Sequence, residues 1–195
     1  MLVRFRYLKR IKNRLAAGRL PLSDAILSAL KLSRGAVPES SLLPLNRELL
    51  GYLPEESQDI FARFNDTGSI ATIVDEDAPM HRFLMGSWVP LSASSTPEQP
   101  LPSKDFLFYG DGICELELLL QRVSISRQTW IGVATDLERN QVFMCTTSAL
   151  QRIYEQAKTR LGEHIDRLAQ GVLTASFHDS TAEARLILLL TRKGK

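Results

Sequence analysis

The sequence predicts an α+β fold: a helical N-terminal portion packed with an antiparallel β-sheet and one long amphipathic helix in the C-terminal half. Three observations predict it. Apolar residues recur at helical spacing through about residue 65. Between residues 69 and 146 they gather into short extended runs separated by turn residues. A helical stripe then returns over residues 148–170. Helices and hairpins of this kind bury their apolar sides when helices cover a face of an antiparallel sheet. The chain divides into a basic amphipathic helix over 1–20 and a single α+β domain over 21–195, with a Pro/Ser-rich loop at 90–104.

The first element is a helix over 3–17. Val3, Tyr7, Leu8, Ile11 and Leu15 share one side, Arg6, Lys9, Arg10 and Lys12 lie opposite, and Arg4 and Arg14 flank the stripe. Gly18 stops it. A second helix spans 24–33, with Ser23 as N-cap, Asp24 in the first turn and Gly35 at C′. Ile26, Leu27 and Leu30 form its buried stripe. A short helix after Asn46 turns Leu49 and Leu50 inward. Another opens at Pro54 with Glu55 and Glu56 in its positive first turn, presents Ile60, Phe61 and Phe64, and ends in a turn at 65–68.

Extended runs follow at 69–74 and 82–89, the latter interrupted by Gly86. Runs at 105–109 and 113–124 flank Gly110-Asp111-Gly112, which reads as a hairpin turn with glycines at positive φ. Runs at 129–135 and 141–146 flank a turn at 136–140. Ser148 and Gln151 form a capping box for the long helix, whose stripe is Leu150, Ile153, Tyr154, Ala157, Leu161, Ile165 and Leu168. Gly171 closes that helix. A last hairpin pairs 172–177 with 184–191 through His178, Asp179 and Ser180.

Charge is arranged in blocks. Residues 1–38 carry +8, residues 39–117 carry −10 and residues 118–195 carry +4, leaving a net +2. Apolar and charged fractions of 44% and 24% exclude wholesale disorder. The longest apolar runs, such as 186–190, are too short for a transmembrane segment, and the charged N-terminus lacks the apolar stretch of a secretory signal. Cys114 and Cys145 both lie in runs that read as strands and are expected to be buried, reduced thiols. The expected compartment is the cytoplasm, or an organelle interior if residues 1–20 are a targeting segment.

The first 23 residues hold seven Lys/Arg and no acid, a local field that attracts polyanions. Arg4, Arg6, Lys9, Arg10, Lys12 and Arg14 are the expected partner- or polyanion-binding residues. Four occupants compete: the chain's own acidic middle, a partner protein, nucleic-acid phosphates, and an anionic membrane surface with the stripe inserted. Asp75-Glu76-Asp77 reads as a solvated turn, because a lone Asp-x-Asp supplies too few oxygens for a cation. His81 paired with Asp75 or Asp77 is the best acid/base arrangement the sequence offers. His164 reads as a structural histidine beside the helical stripe. Acidic neighbours Asp111 and Glu115 argue against a reactive Cys114. There is no Walker A, dinucleotide fingerprint, His-Glu-x-x-His or Cys-x-x-Cys. No catalytic residue can be named, and neither a cofactor nor a metal is expected.

The leading expectation is a non-catalytic protein-interaction or adaptor protein acting through its basic N-terminal helix, with another protein as partner. The alternatives are a nucleic-acid-binding module using the same helix, and a small enzyme with an acidic site near residues 75–81.

Overall fold

The computed structural model describes the backbone of residues 2–67, 80–93 and 105–192. Six helices and four strands follow in order among them: α1 (Leu2–Ala16), α2 (Leu22–Ser33), α3 (Leu43–Leu50), α4 (Pro54–Thr67), β1 (Phe83–Pro90), β2 (Asp105–Phe108), α5 (Ile113–Ser126), β3 (Trp130–Asp136), β4 (Gln141–Thr146) and α6 (Thr147–Arg192). The fold class is α+β, with a four-stranded antiparallel sheet and a long helix in the C-terminal half. Two compact units divide the chain: Met1–Asn46 with Lys158–Lys195, and Arg47–Ala157.

The first unit is helical. Leu8, Ile11 and Leu15 of α1 are buried, as are Leu22, Ala25, Ile26, Ala29 and Leu30 of α2. α1 packs on α2, and the small Ala25 and Ala29, one turn apart, leave room for close approach. Gly18 sits at φ 64°, where a side chain would be strained, and the amides of Gly18 and Arg19 close back on Leu15 O and Arg14 O. That pair of bonds is a Schellman stop, as the sequence implies. Gly35 ends α2 in the same backbone region, at φ 75°. Leu161, Ile165 and Leu168 of α6 are buried. On the same stretch Asp166 accepts from Lys12 Nζ, and His164 Nε2 lies 2.7 Å from Ser41 O. His164 is thus a structural histidine. Its pKa is lowered chiefly by burial, with the bond to Ser41 opposing.

The second unit is built on the sheet, in the order β2-β1-β4-β3. The β3–β4 hairpin has β4 at the expected limits, while β3 lies one residue later than expected and takes in Asp136. Asn140 takes φ 54° in its turn, and Asp136 Oδ1 accepts from the Arg139 amide at 3.0 Å. β1 runs unbroken through Gly86, which faces Cys145 on one side and Asp105 on the other. A Cβ at Gly86 would collide with Met144 O and the Phe143 ring. Phe83 and Phe108 form a cluster with Tyr52 and Ile60, Tyr52 standing edge-on to Phe108 at 5.2 Å. Trp88 packs on Phe143 at 5.3 Å.

Several expectations are corrected. Residues 113–124 form α5, not a strand: Ile113, Leu116 and Val123 are buried at helical spacing, and Leu and Glu are strong helix formers. Gly110 and Gly112 do not take positive φ. They are small because neighbours crowd them: a Cβ on Gly110 would strike the Ser57 hydroxyl, and a Cβ on Gly112 would strike Leu49 O. The hairpin over 172–191 is instead the continuation of α6 to Arg192. No proline interrupts that stretch, and a lone Gly171 costs only about 1 kcal/mol in a helix.

Smaller corrections concern ends and faces. Thr146, not Ser148, caps α6, its Oγ1 accepting from the Ala149 amide at 3.3 Å. α2 starts at Leu22 with Pro21, not Ser23, in the N-cap position. α4 runs on through residues 65–67. Leu50 is 77% exposed and Leu27 40%, so neither is a core residue. Cys114 lies exposed on α5, while Cys145 is buried in β4, and both are free thiols. The strand expected at 69–74, the acidic turn at 75–77 and most of the loop at 90–104 lie outside the described residues.

Candidate functional site

Two polar constellations stand out, one in each unit. The first is the outer side of α1. Burial of Leu8, Ile11 and Leu15 fixes the rotation of the helix and turns Arg4, Arg6, Lys9, Arg10 and Arg14 to solvent. Lys12 differs, being half-buried and paired with Asp166. Its partner comes from the C-terminal charge block, not from the acidic middle. Within this unit, Arg4, Arg6, Lys9, Arg10 and Arg14 form no ion pair among the described residues. Arg14 donates instead to Arg19 O at 3.4 Å.

A groove runs between α1 and α2. It encloses about 470 Å³ and is lined by Tyr7, Arg10, Ile11, Arg14, Ser28, Lys31 and Leu32. Residues 7, 10, 11 and 14 recur one and two turns apart on α1, and 28, 31 and 32 one turn apart on α2. Each helix therefore contributes one edge. Ile11 is buried, Tyr7 is half exposed, and Arg10, Arg14 and Lys31 stand exposed around the opening.

The second constellation is the buried charge cluster of the other unit. Arg82 is fully buried. Its Nη1 donates to Asp111 O at 2.6 Å and Tyr109 O at 3.2 Å, and its Nη2 to Glu48 Oε2 at 2.7 Å. The Tyr52 ring covers its guanidinium at 5.5 Å. His81 Nε2 lies 3.2 Å from the other Glu48 oxygen. Burial alone would push the Glu48 carboxyl up. The His81 ring nitrogen beside it and the charge of Arg82 outweigh burial and hold the group at about 2, against an ordinary 4.5. Asp111 is raised by burial and by the neighbouring Glu115 charge.

This cluster ties residue 48 of α3, the start of β1 and the segment 109–111 together. One Glu48 oxygen accepts from Arg82 and the other faces the His81 ring, while the Arg82 Nε is buried without a hydrogen-bond partner among the described residues, so the cluster is arranged chiefly as a buried lock. His81, expected beside Asp75 or Asp77, is seated on Glu48; those two aspartates lie outside the described residues. Neither Glu48 nor Arg82 stood out in the sequence. A signal existed: Glu48 falls one turn after buried Leu45 on the inward side of a short helix, where an acid demands a buried cation.

Among the described residues, no group of three His, Cys, Asp or Glu side chains converges as a metal site. Among the same residues, no helix is long and apolar enough to cross a membrane. Comparison with protein-family models, curated proteins and solved structures gives no significant match.

Proposed function

We propose that this chain is a non-catalytic interaction or adaptor protein that binds an acidic partner protein through the outer side of α1. One observation carries the reading. The apolar stripe of α1 is consumed by its own unit, while Arg4, Arg6, Lys9, Arg10 and Arg14 remain exposed without a carboxylate partner in that unit among the described residues. Among the described residues, one side of the helix is pinned and the five like charges on the rest meet no carboxylate. Mutual repulsion between exposed cations is a cost that an acidic partner removes.

The same burial weighs against a membrane role, because Leu8, Ile11 and Leu15 are not available to enter lipid. Each exposed ion pair contributes only ~0.2–1 kcal/mol, so the five cations chiefly set partner choice and encounter rate. Affinity then has to come from apolar contact as well.

The test is direct binding of a fluorescent acidic polypeptide, such as polyglutamate, alongside duplex DNA, single-stranded RNA and anionic vesicles. Binding to the acidic polypeptide that weakens with salt and disappears in the Arg6→Glu, Lys9→Glu, Arg10→Glu variant is the expected result. Tighter, charge-dependent binding to either nucleic acid would transfer the site to the nucleic-acid alternative. Absence of binding to every probe at low salt would remove the reading.

A further inference from the structure

The groove beside these cations is more than a charged surface. We infer that it is a specificity pocket for one large apolar side chain carried between carboxylates on the partner's acidic segment, an inference that rests on the function proposed above. The first support is shape. A flat cationic helix would suffice to attract a polyanion, yet a groove of about 470 Å³ is lined by α1 and α2. That lies within the ~300–1,000 Å³ of pockets that accept compact organic groups.

The second support is the placement of residue types. Ile11 and Leu32 supply an apolar lining, and Tyr7 offers a half-exposed ring at the edge. Arg10 and Arg14 stand on one side of the opening and Lys31 on the other. Among the described residues, no acid lines the groove. An apolar anchor entering between the helices would thus bring flanking carboxylates within reach of cations on both sides. Ser28 adds a hydroxyl able to bond to the peptide backbone. A nucleic-acid backbone uses a track of cations and has no apolar group to place in such a pocket. An acidic amphipathic peptide has both parts.

The third support is the energetics of recognition. Exposed ion pairs are weak singly, and interfaces draw most of their affinity from a few buried anchors surrounded by polar contacts. This groove is where the cationic side of unit one allows such an anchor.

The experiment uses the full chain and two labelled acidic peptides of equal charge, identical except for a central Phe or Ser. Fluorescence anisotropy reads both affinities at low and physiological salt. The wild type is expected to bind the Phe peptide about 10-fold or more tightly than the Ser peptide. Ser28→Phe, which fills the groove, is expected to abolish that preference while retaining the salt-sensitive binding common to both peptides. Leu32→Ala, which thins the lining, serves as a second variant and is expected to reduce the preference by at least half. Equal binding of the two peptides by the wild type overturns the pocket but leaves the charge-based function standing. A preference unchanged in both variants places the anchor elsewhere and also overturns it. No binding of either peptide at low salt removes the underlying function as well.

Discussion

Replacing Arg82 with Met should destabilise the second unit severely. The guanidinium is fully buried and donates to Glu48 Oε2 at 2.7 Å, Asp111 O at 2.6 Å and Tyr109 O at 3.2 Å. Methionine fills much of the volume but leaves the Glu48 carboxylate buried with His81 alone. Removing one member of a buried ion pair costs ~3–5 kcal/mol. Two carbonyls that lose their donors add to this, each on the order of 1 kcal/mol, so the lower limit is ~3 kcal/mol. Urea unfolding followed by tryptophan fluorescence is the suitable assay, because both tryptophans, Trp88 and Trp130, belong to this unit. With a slope of ~1–3 kcal/mol per molar, the midpoint should fall by at least ~1 M. Arg82→Lys keeps the charge without the planar fork and should recover only part of the loss. The double variant Arg82→Met, Glu48→Leu removes both charges and should be more stable than Arg82→Met alone. A single-variant loss under about 1 kcal/mol, or a double variant less stable than the single, would refute the lock.

Three further outcomes follow from the same structure. Glu48 titrates at about 2 when folded, against 4.5 ordinarily, so the unfolded chain takes up its proton first as acid is added. The stability this supplies is complete above pH 4.5 and is lost as pH falls towards 2; it amounts to roughly 3 kcal/mol, and Glu48→Gln should flatten that part of the stability–pH curve measured by urea titration. Gly86→Ala would drive a methyl group into Met144 O and the Phe143 ring, and should lower the unfolding midpoint by about 1–3 kcal/mol of stability; an unchanged midpoint would show that β1 and β4 are not in this register. Cys114 is exposed and Cys145 is buried, its thiol pushed up to about 12 by burial; a chromogenic thiol reagent should titrate one group in the native protein and two in denaturant, and the Cys114→Ser variant should lose the fast one.

The parts of the fold legible in the sequence are those where local chemistry and tertiary packing agree. Gly18 after an apolar 3–4 spacing predicts a helix stop, and the Schellman bonds to Leu15 O and Arg14 O deliver it. The turn before β4 carries an Asp that caps it and an Asn that accepts positive φ, so β4 falls where the sequence places it and β3 within one residue. Residues 113–124 were ambiguous for a physical reason. Cys114-Glu115-Leu116-Glu117-Leu118 alternates like a strand, while Ile113, Leu116 and Val123 repeat like a helix, and short apolar runs cannot be separated by period alone. Residues 178–180 resemble a turn in composition, yet without Gly or Pro nothing there forces the chain out of α6.

The candidate site was legible as charge and not as shape. Six cations on α1 can be counted in the sequence, but Lys12 is half-buried and bound to Asp166, a partner 154 residues away that no local pattern announces. The groove needs α1 and α2 side by side at a particular rotation. Tyr7, expected within the buried stripe, is half exposed at its edge, while Ser28, Lys31 and Leu32 carried no signal at all. The lock of Glu48 and Arg82 was likewise hidden, because its members are 34 residues apart and meet only when β1 is laid beside the end of α3.

The most direct measurement is an NMR titration of the isotope-labelled full chain with the acidic Phe peptide at low salt. Amide shifts that saturate, cluster on α1 and on residues 28–32 of α2, and retreat as salt is added are the expected result. Shifts confined to residues 47–157, or none at all while the peptide is in excess, would contradict a binding role for the outer side of α1.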